Sequence, residues 1–131
     1  MQFKLLTPDE LIYSGDADLV GGRTEQGSFS ILQRHIPAVM ELEPALLKVK
    51  AGDETRRFVV HGGFLFKERD ETVKVMTRSA EAYEDIDVSR LNERIGELEE
   101  KLAEAGADGE SDEMELELER ARTTVDLVEN E

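Results

Sequence analysis

The residues able to bind phosphate, hold a metal or move a proton come first. Gly22-Arg23-Thr24-Glu25-Gln26-Gly27 has the glycine spacing of a phosphate-binding loop, but Ser28-Phe29 follows where such a loop needs Lys and Ser/Thr. Without the lysine no charge holds a terminal phosphate. His61-Gly62-Gly63 is reminiscent of an oxyanion loop, yet no Gly-x-Ser-x-Gly nucleophile elbow accompanies it. A glycine pair in a strand ordinarily marks a bend or a close backbone approach. Asp108, Glu110, Asp112 and Glu119 occupy positions 1, 3, 5 and 12 of a calcium-loop pattern, with Glu113 where the sharp turn needs glycine. His35, between Arg34 and Ile36-Pro37, lies on an expected turn, and the sequence offers it no recognisable partner carboxylate. The absence of cysteine excludes a disulfide scaffold, an iron–sulfur cluster and a thiolate zinc site, and two histidines argue against a histidine-rich metal site. These residues predict no catalyst.

The elements that would carry such residues are bounded by size and charge. A chain of 131 residues suits one domain or two very small ones. Against 16 Lys and Arg stand 31 Asp and Glu, a net charge of −15, so a nucleic-acid polyanion would be repelled. No apolar run approaches the ~20 residues of a membrane-spanning helix. Met1 to Pro8 lacks the long apolar stretch of a signal peptide. The expectation is a soluble cytoplasmic protein with no direct lipid insertion. Charge is unevenly spread: residues 1–86 hold 15 acids and 11 bases, residues 87–131 hold 16 acids and 5 bases. All three prolines and seven of ten glycines lie in the first part. Two architectures are expected, over 1–84 and 85–131.

The first part reads as strands. Phe3-Lys4-Leu5, Ser28-Phe29-Ser30-Ile31 and Thr72-Val73-Lys74-Val75-Met76 alternate with the period of a half-buried strand. Leu11–Tyr13, Asp18–Val20, Ala45–Lys50, Arg57–Val60 and Phe64–Phe66 are further short runs separated by Gly, Pro, Asp and Ser. About ten short strands at such spacing predict an all-β antiparallel sandwich. The second part reads as an α-helical hairpin. Val88, Leu91, Ile95, Leu98 and Leu102 form one helical stripe, and Met114, Leu118, Ala121, Val125 and Val128 a second. Asp87 stands at an N-cap position, Gly106 at a C-terminal stop, and Asp112 with Glu115 resembles a capping box. Glu113, Glu115, Glu117 and Glu119 crowd one stretch, and their repulsion is expected to weaken the second helix.

The order of these parts resembles the epsilon subunit of F-type ATP synthases (delta in mitochondrial naming) over nearly the whole chain. Phe3-Lys4-Leu5-Leu6-Thr7-Pro8 with Tyr13-Ser14-Gly15 looks like the family's opening strand and turn. Glu25 to Pro37 is similar to its signature loop, Val60-His61-Gly62-Gly63-Phe64-Leu65 to its Gly-Gly strand, and Glu84 to Arg90 to the entry of its first C-terminal helix. Ser30 and Gln33-Arg34 depart from the family's usual Gly and Pro-Gly.

The resemblance implies a non-catalytic rotor part. Its sandwich would clamp the gamma subunit through an apolar patch and sit on the membrane c-ring, so the chain would be cytoplasmic and peripheral on the inner face of the membrane. Glu25, Gln26, Gly27, Ser28 and His35 are the residues it implies for the c-ring contact. The hairpin would be regulatory, reaching the alpha and beta subunits. No cofactor is implied, although some relatives bind ATP as a regulatory ligand. On the matching positions that site comprises Glu81, Ile86, Asp87, Arg90 and Arg120, with Leu91 replacing a usual Ala and Thr124 a usual Arg. Arginine is a strong phosphate partner and threonine a weak one, so nucleotide affinity is expected to be weak or absent. Inhibition of hydrolysis by so acidic a hairpin is expected to be weak or salt-dependent. A free-standing acidic adaptor of the same two parts is the alternative. A metal-dependent hydrolase is a third class.

Overall fold

The computed structural model describes residues 1–105 and 109–130 of the chain, the side chains of 109 and 110 excepted. Gly106, Asp108 and the Glu110 side chain, singled out above for a helix stop and a calcium-loop pattern, lie outside the described residues. The chain falls into two units, Met1–Asp85 and Ile86–Glu131.

Eight strands make the first unit: β1 Gln2–Leu6, β2 Leu11–Asp16, β3 Leu19–Thr24, β4 Gly27–Leu32, β5 Ala38–Ala51, β6 Glu54–Lys67, β7 Thr72–Met76 and β8 Ala80–Ala82. They form one hydrogen-bonded sheet in the order β2-β1-β7-β6-β5-β3-β4, with β8 beside β6. Alternation sends one face inward. Phe3 and Leu5 of β1 pair with Val73 and Val75 of β7, and all four are fully buried. Each such side chain contributes about 1.5–3 kcal/mol by leaving water. From the other end of the sheet Val20, Ile31, Leu47, Val49, Phe58 and Val60 join the same core.

One core receives residues from both ends of the sheet because β5 and β6, 14 residues each, run through both layers of a sandwich. The first half of β6 pairs with β8 through Phe58–Val60, and its second half pairs with β7 through Phe64–Lys67. The change of partner falls at His61-Gly62-Gly63. Gly62 and Gly63 have φ of 92° and 120°, and a Cβ on Gly63 would collide with the Met76 carbonyl oxygen. The bend expected of this glycine pair is therefore a sandwich corner.

Three details differ from the sequence expectation. Arg57–Val60 and Phe64–Phe66, read as separate strands, are halves of β6, and β8 is a short strand outside the runs named above. β5 begins at Ala38 and runs through Pro44, since its pairing with β3 involves only Lys48–Lys50 and so no β3 partner asks for the missing proline N–H. The sheet is antiparallel except for β1 and β7, which are parallel. A parallel pair needs a long connection, and the 65 intervening residues supply it.

The second unit is a pair of packed helices, α1 Val88–Glu104 and α2 Gly109–Glu129. Both expected stripes are the less exposed faces, with Leu98, Leu118, Ala121 and Val125 buried. Asp87 caps α1, its carboxylate accepting the Arg90 N–H at 3.2 Å. α2 starts before Asp112, which therefore lies inside the helix instead of capping it. Acidic residues in a first turn suit the positive end of a helix.

Gly63→Ala is expected to destabilise the first unit by at least about 2 kcal/mol, combining a backbone collision with an unfavourable φ. The urea midpoint followed by tyrosine fluorescence measures it. An unchanged midpoint would remove the corner from its central place.

Candidate functional site

The tip of the β3–β4 hairpin is built by a tight turn, Glu25-Gln26, between Thr24 and its register partner Gly27. Gly27 takes φ 125°, a conformation open to glycine and rare for other residues. The Thr24 hydroxyl accepts the Gln26 N–H at 3.2 Å and donates to the Gly27 carbonyl at 3.4 Å. Glu25, Gln26 and Ser28 are exposed around this turn. His35 is not with them. It lies beyond the opposite end of β4, roughly 20 Å away for a six-residue strand. There its Nδ1 donates to the Ile36 carbonyl at 2.7 Å, beside exposed Leu32 and Ile36. The sequence-derived set therefore splits into a polar tip and a partly apolar loop.

An apolar row lies on the outer face of the β1-β7-β6-β5 layer, flanked on that face by Glu41 of β5 and Lys74 of β7. Phe64 lies opposite Met76 on β7 and Phe66 opposite Val39 on β5. Their inward neighbours Leu65, Val73 and Val75 are fully buried, so alternation turns these four outward. Val39 is 67% exposed, Met76 51% and Phe64 47%, and the two phenylalanine rings lie 6.4 Å apart. A shallow groove of about 570 Å³ runs beside them, lined by Leu6, Pro8, Phe64 and Met76 among others. A contiguous apolar patch on an otherwise charged protein marks a contact surface. The sequence held one signal for it: Phe64-Leu65-Phe66 is apolar on both faces, which a strand with one solvated face avoids.

The five nucleotide-site positions divide between the units. Glu81 is on β8, paired with Val59, whereas Ile86, Asp87, Arg90 and Arg120 belong to the helical unit. Asp87 is engaged as the cap of α1. Thr124 is buried, and its hydroxyl donates to the Arg120 carbonyl at 2.9 Å. That hydroxyl is turned to helix backbone and does not stand in for a phosphate-binding arginine. In the strand unit a cleft near Glu81 holds two stacked cations, Arg56 over Tyr13 at 5.2 Å and Arg57 over Tyr83 at 5.7 Å. Glu54, Glu84 and Asp85 line the same cleft and offset their charge. Among the described residues, no three His, Cys, Asp or Glu side chains are grouped to hold a metal ion.

The acidic helices are tied by arginine. Arg94 forks onto Glu117 at 2.8 and 3.0 Å and reaches Glu97 at 3.1 Å. Arg122 reaches Glu99 at 3.2 Å. Two parallel N–H···O bonds make the Arg94 contact geometrically specific. Glu117 and Glu97 raise the Arg94 pKa above its ordinary value, and Arg94 in turn holds the Glu117 carboxyl below 4.5. Sequence reading weighed the repulsion among the α2 glutamates but not this cross-helix partner.

Residues 1–83 match the family described as ATP synthase, Delta/Epsilon chain, beta-sandwich domain. The chain is 33% identical over 129 residues to the ATP synthase epsilon chain of Halalkalibacterium halodurans, covering 98% of this chain and 96% of that one. It is 32% identical over 130 residues to the ATP synthase epsilon chain of Bacillus velezensis, covering 99% and 98%. Among solved structures it is similar to a chain of the Euglena gracilis mitochondrial ATP synthase OSCP/F1/c-ring assembly. That likeness has a TM-score of 0.66 at 23% identity, over 97% of this chain and 76% of that chain. A chain of the Tetrahymena thermophila mitochondrial ATP synthase central stalk and c-ring gives 0.55 at 18% identity, over 64% and 67%. At these identities the structural likeness is one of fold.

Because Glu117 is held below its ordinary pKa, its contribution to the helical unit is complete above 4.5 and is lost as pH falls through the lowered value. Acid also relieves repulsion among the other carboxylates, so the comparison must be with Arg94→Ala. The variant is expected to lose helical stability at neutral pH, by circular dichroism during thermal melting. The gap from wild type should narrow as pH falls through the lowered Glu117 value. A gap that persists in acid would assign the loss to packing instead.

Proposed function

We propose that this chain, which belongs to the ATP synthase delta/epsilon family, serves as a non-catalytic subunit of the rotating central stalk, transmitting torque between the gamma subunit and the c-ring. The observation that carries this reading is the outward-facing apolar row of exposed Val39, Phe64 and Met76 with half-buried Phe66, held on a continuous sheet. Torque demands a body that does not shear, and two layers joined by the unbroken strands β5 and β6 meet that demand. The apolar row is assigned to gamma, because a permanent contact is strongest where large apolar side chains leave water together.

The polar tip, Glu25, Gln26, Gly27 and Ser28, is assigned to the c-ring. Hydroxyl, amide and carboxylate groups there form hydrogen bonds at the rim of a contact without a large apolar anchor. His35 is assigned to a second point of contact, since it stands at the other end of β4. No helix among the described residues is long and apolar enough to cross a membrane. A chain held through the c-ring would lie peripherally on the inner face, in the cytoplasm.

The hairpin is assigned a regulatory role toward the alpha and beta subunits, weakened by its own charge of −11 over residues 87–131. ATP is at most a weak ligand on this reading, with Asp87 engaged as a helix cap and threonine at position 124.

Co-purification with gamma tests the stalk assignment. A one-to-one complex is expected, and Phe64→Glu should weaken it at least about tenfold while leaving the melting temperature near that of wild type. If gamma binds Phe64→Glu as tightly as wild type, the apolar row is not its site. Calorimetric titration with ATP is expected to give little heat. A tight one-to-one isotherm abolished by Arg90→Ala would overturn the weak-ligand assignment.

A further inference from the structure

Two non-glycine residues among those described, Arg34 and Glu71, have positive φ, at 67° and 64°. They are 37 positions apart in sequence and meet in space. Both carboxylate oxygens of Glu71 accept the main-chain N–H of Arg34, each at 3.2 Å. Lys67 clamps the same carboxylate, its Nζ lying 3.3 Å from Oε1 and 2.7 Å from the Glu68 carbonyl, with a side chain only 1% exposed. The Glu71 main chain is itself fixed, since its carbonyl accepts the Gln2 N–H at 2.9 Å. One side of the contact is therefore anchored to β1 and β6. The other side is the connection between β4 and β5, Gln33–Pro37, which presents Ile36 at 73% exposure.

We propose that Glu71 is the positioning residue of the Gln33–Pro37 loop, a carboxylate latch that fixes the direction in which His35 and Ile36 are presented. An amide bonded to an ionised carboxylate is held more strongly than one bonded to a neutral acceptor. Arg34 adopts an unfavourable backbone conformation there, and that conformation persists only while something holds it. Three donors fix Glu71: the single Arg34 N–H shared between its two carboxylate oxygens, Lys67 Nζ and the Gln2 N–H. The charged groups around the latch are Lys67 from β6, the N-terminal amine beside β1, Arg34 itself, and Glu68 and Asp70 in the turn, with Glu68 paired to Lys74 at 3.5 Å. The Arg34 N–H, and then Lys67, hold the Glu71 carboxyl below 4.5. The latch is therefore closed above that value and opens as pH falls through the lowered one. The loop contains one of the assigned ring contacts, so the consequence for assembly rests on the stalk reading. The latch itself does not.

The test follows the Arg34 amide of the full chain by proton–nitrogen NMR from about pH 7 to about pH 3. In wild type this signal should move with an apparent pKa below 4.5. The movement should vanish in Glu71→Gln and survive in Glu68→Gln. Amide exchange at Arg34 should be about tenfold faster in Glu71→Gln. Since that variant strips the buried Lys67 of its carboxylate, the wild-type titration stands as a measurement independent of its folding. An Arg34 amide that does not titrate, or that titrates equally in Glu71→Gln, overturns the proposal. A second arm measures binding of the full chain to a detergent-solubilised gamma–c-ring assembly. Wild type failing to bind would sink the stalk reading alone, because the amide result still decides the latch. Glu71→Gln binding at least about fivefold more weakly than wild type supports the consequence for assembly, and equal binding overturns that consequence while the amide result decides the latch.

Discussion

The close approach of two backbones at Gly63 governs the rest of the strand unit. The Met76 carbonyl and the Thr77 α-carbon lie where a side chain on residue 63 would have to be. Only there can β6 give up β8 as a neighbour and take β7 in its place. That exchange lets one strand serve two layers, and β5 follows it through the register Ala38↔Lys67 to Ala51↔Glu54. Two separate sheets stacked over a core can slide across each other at the cost of side-chain contacts alone. Layers that share two 14-residue strands cannot slide without breaking main-chain ladder bonds as well. Stiffness in twist is thus a property of the connectivity, and the apolar core fills the space that the corner encloses.

The helical unit rests on different physics. Its stripes bury a few aliphatic side chains, while its surface carries most of the chain's excess negative charge. Carboxylates at this density repel one another, and that repulsion is relieved locally wherever an arginine is shared. Arg94 lies among Glu97 and Glu117, and Arg122 beside Glu99, so two cations bear on three of the acids. Such exposed pairs contribute little individually and weaken with salt. An element stabilised in this way responds to ionic strength and pH far more than the strand unit does.

Much of the fold was legible because its signals are local. Phe3, Leu5, Val73 and Val75 alternate, and the stripes of α1 and α2 repeat at helical spacing, so periodicity alone assigns them. The first half of β5 was not legible. Glu41, Glu43 and Pro44 interrupt its pattern, and its strand character comes from pairing with β6. The polar tip was singled out through the family resemblance, and the residues alone offered only the glycine spacing of Gly22 and Gly27. His35 was grouped with it by the same resemblance, and six residues of extended chain separate the two in space. The apolar row could not be read residue by residue, because outward and inward faces of Phe64-Leu65-Phe66 are equivalent until the core is known. The Glu71–Arg34 contact joins positions 37 apart and leaves no mark in any local pattern.

On the proposed assignments, a part that carries torque between two partners needs one contact that supplies affinity and another that supplies orientation. The apolar row is carried on hydrogen-bonded strands and is insensitive to angle, because burial of apolar area is non-directional. It can resist separation but not rotation about its own normal. Rotation is resisted by directional bonds at a distance, and the longer the lever the smaller the force each bond must bear. The tip at Glu25–Ser28 and the loop at His35 stand at opposite ends of β4, roughly 20 Å apart. Hydrogen bonds at those two points oppose a turning moment that the same bonds placed side by side would not. If both are ring contacts, as proposed, the separation of the tip from His35 gives the pair the lever that a torque-bearing contact needs.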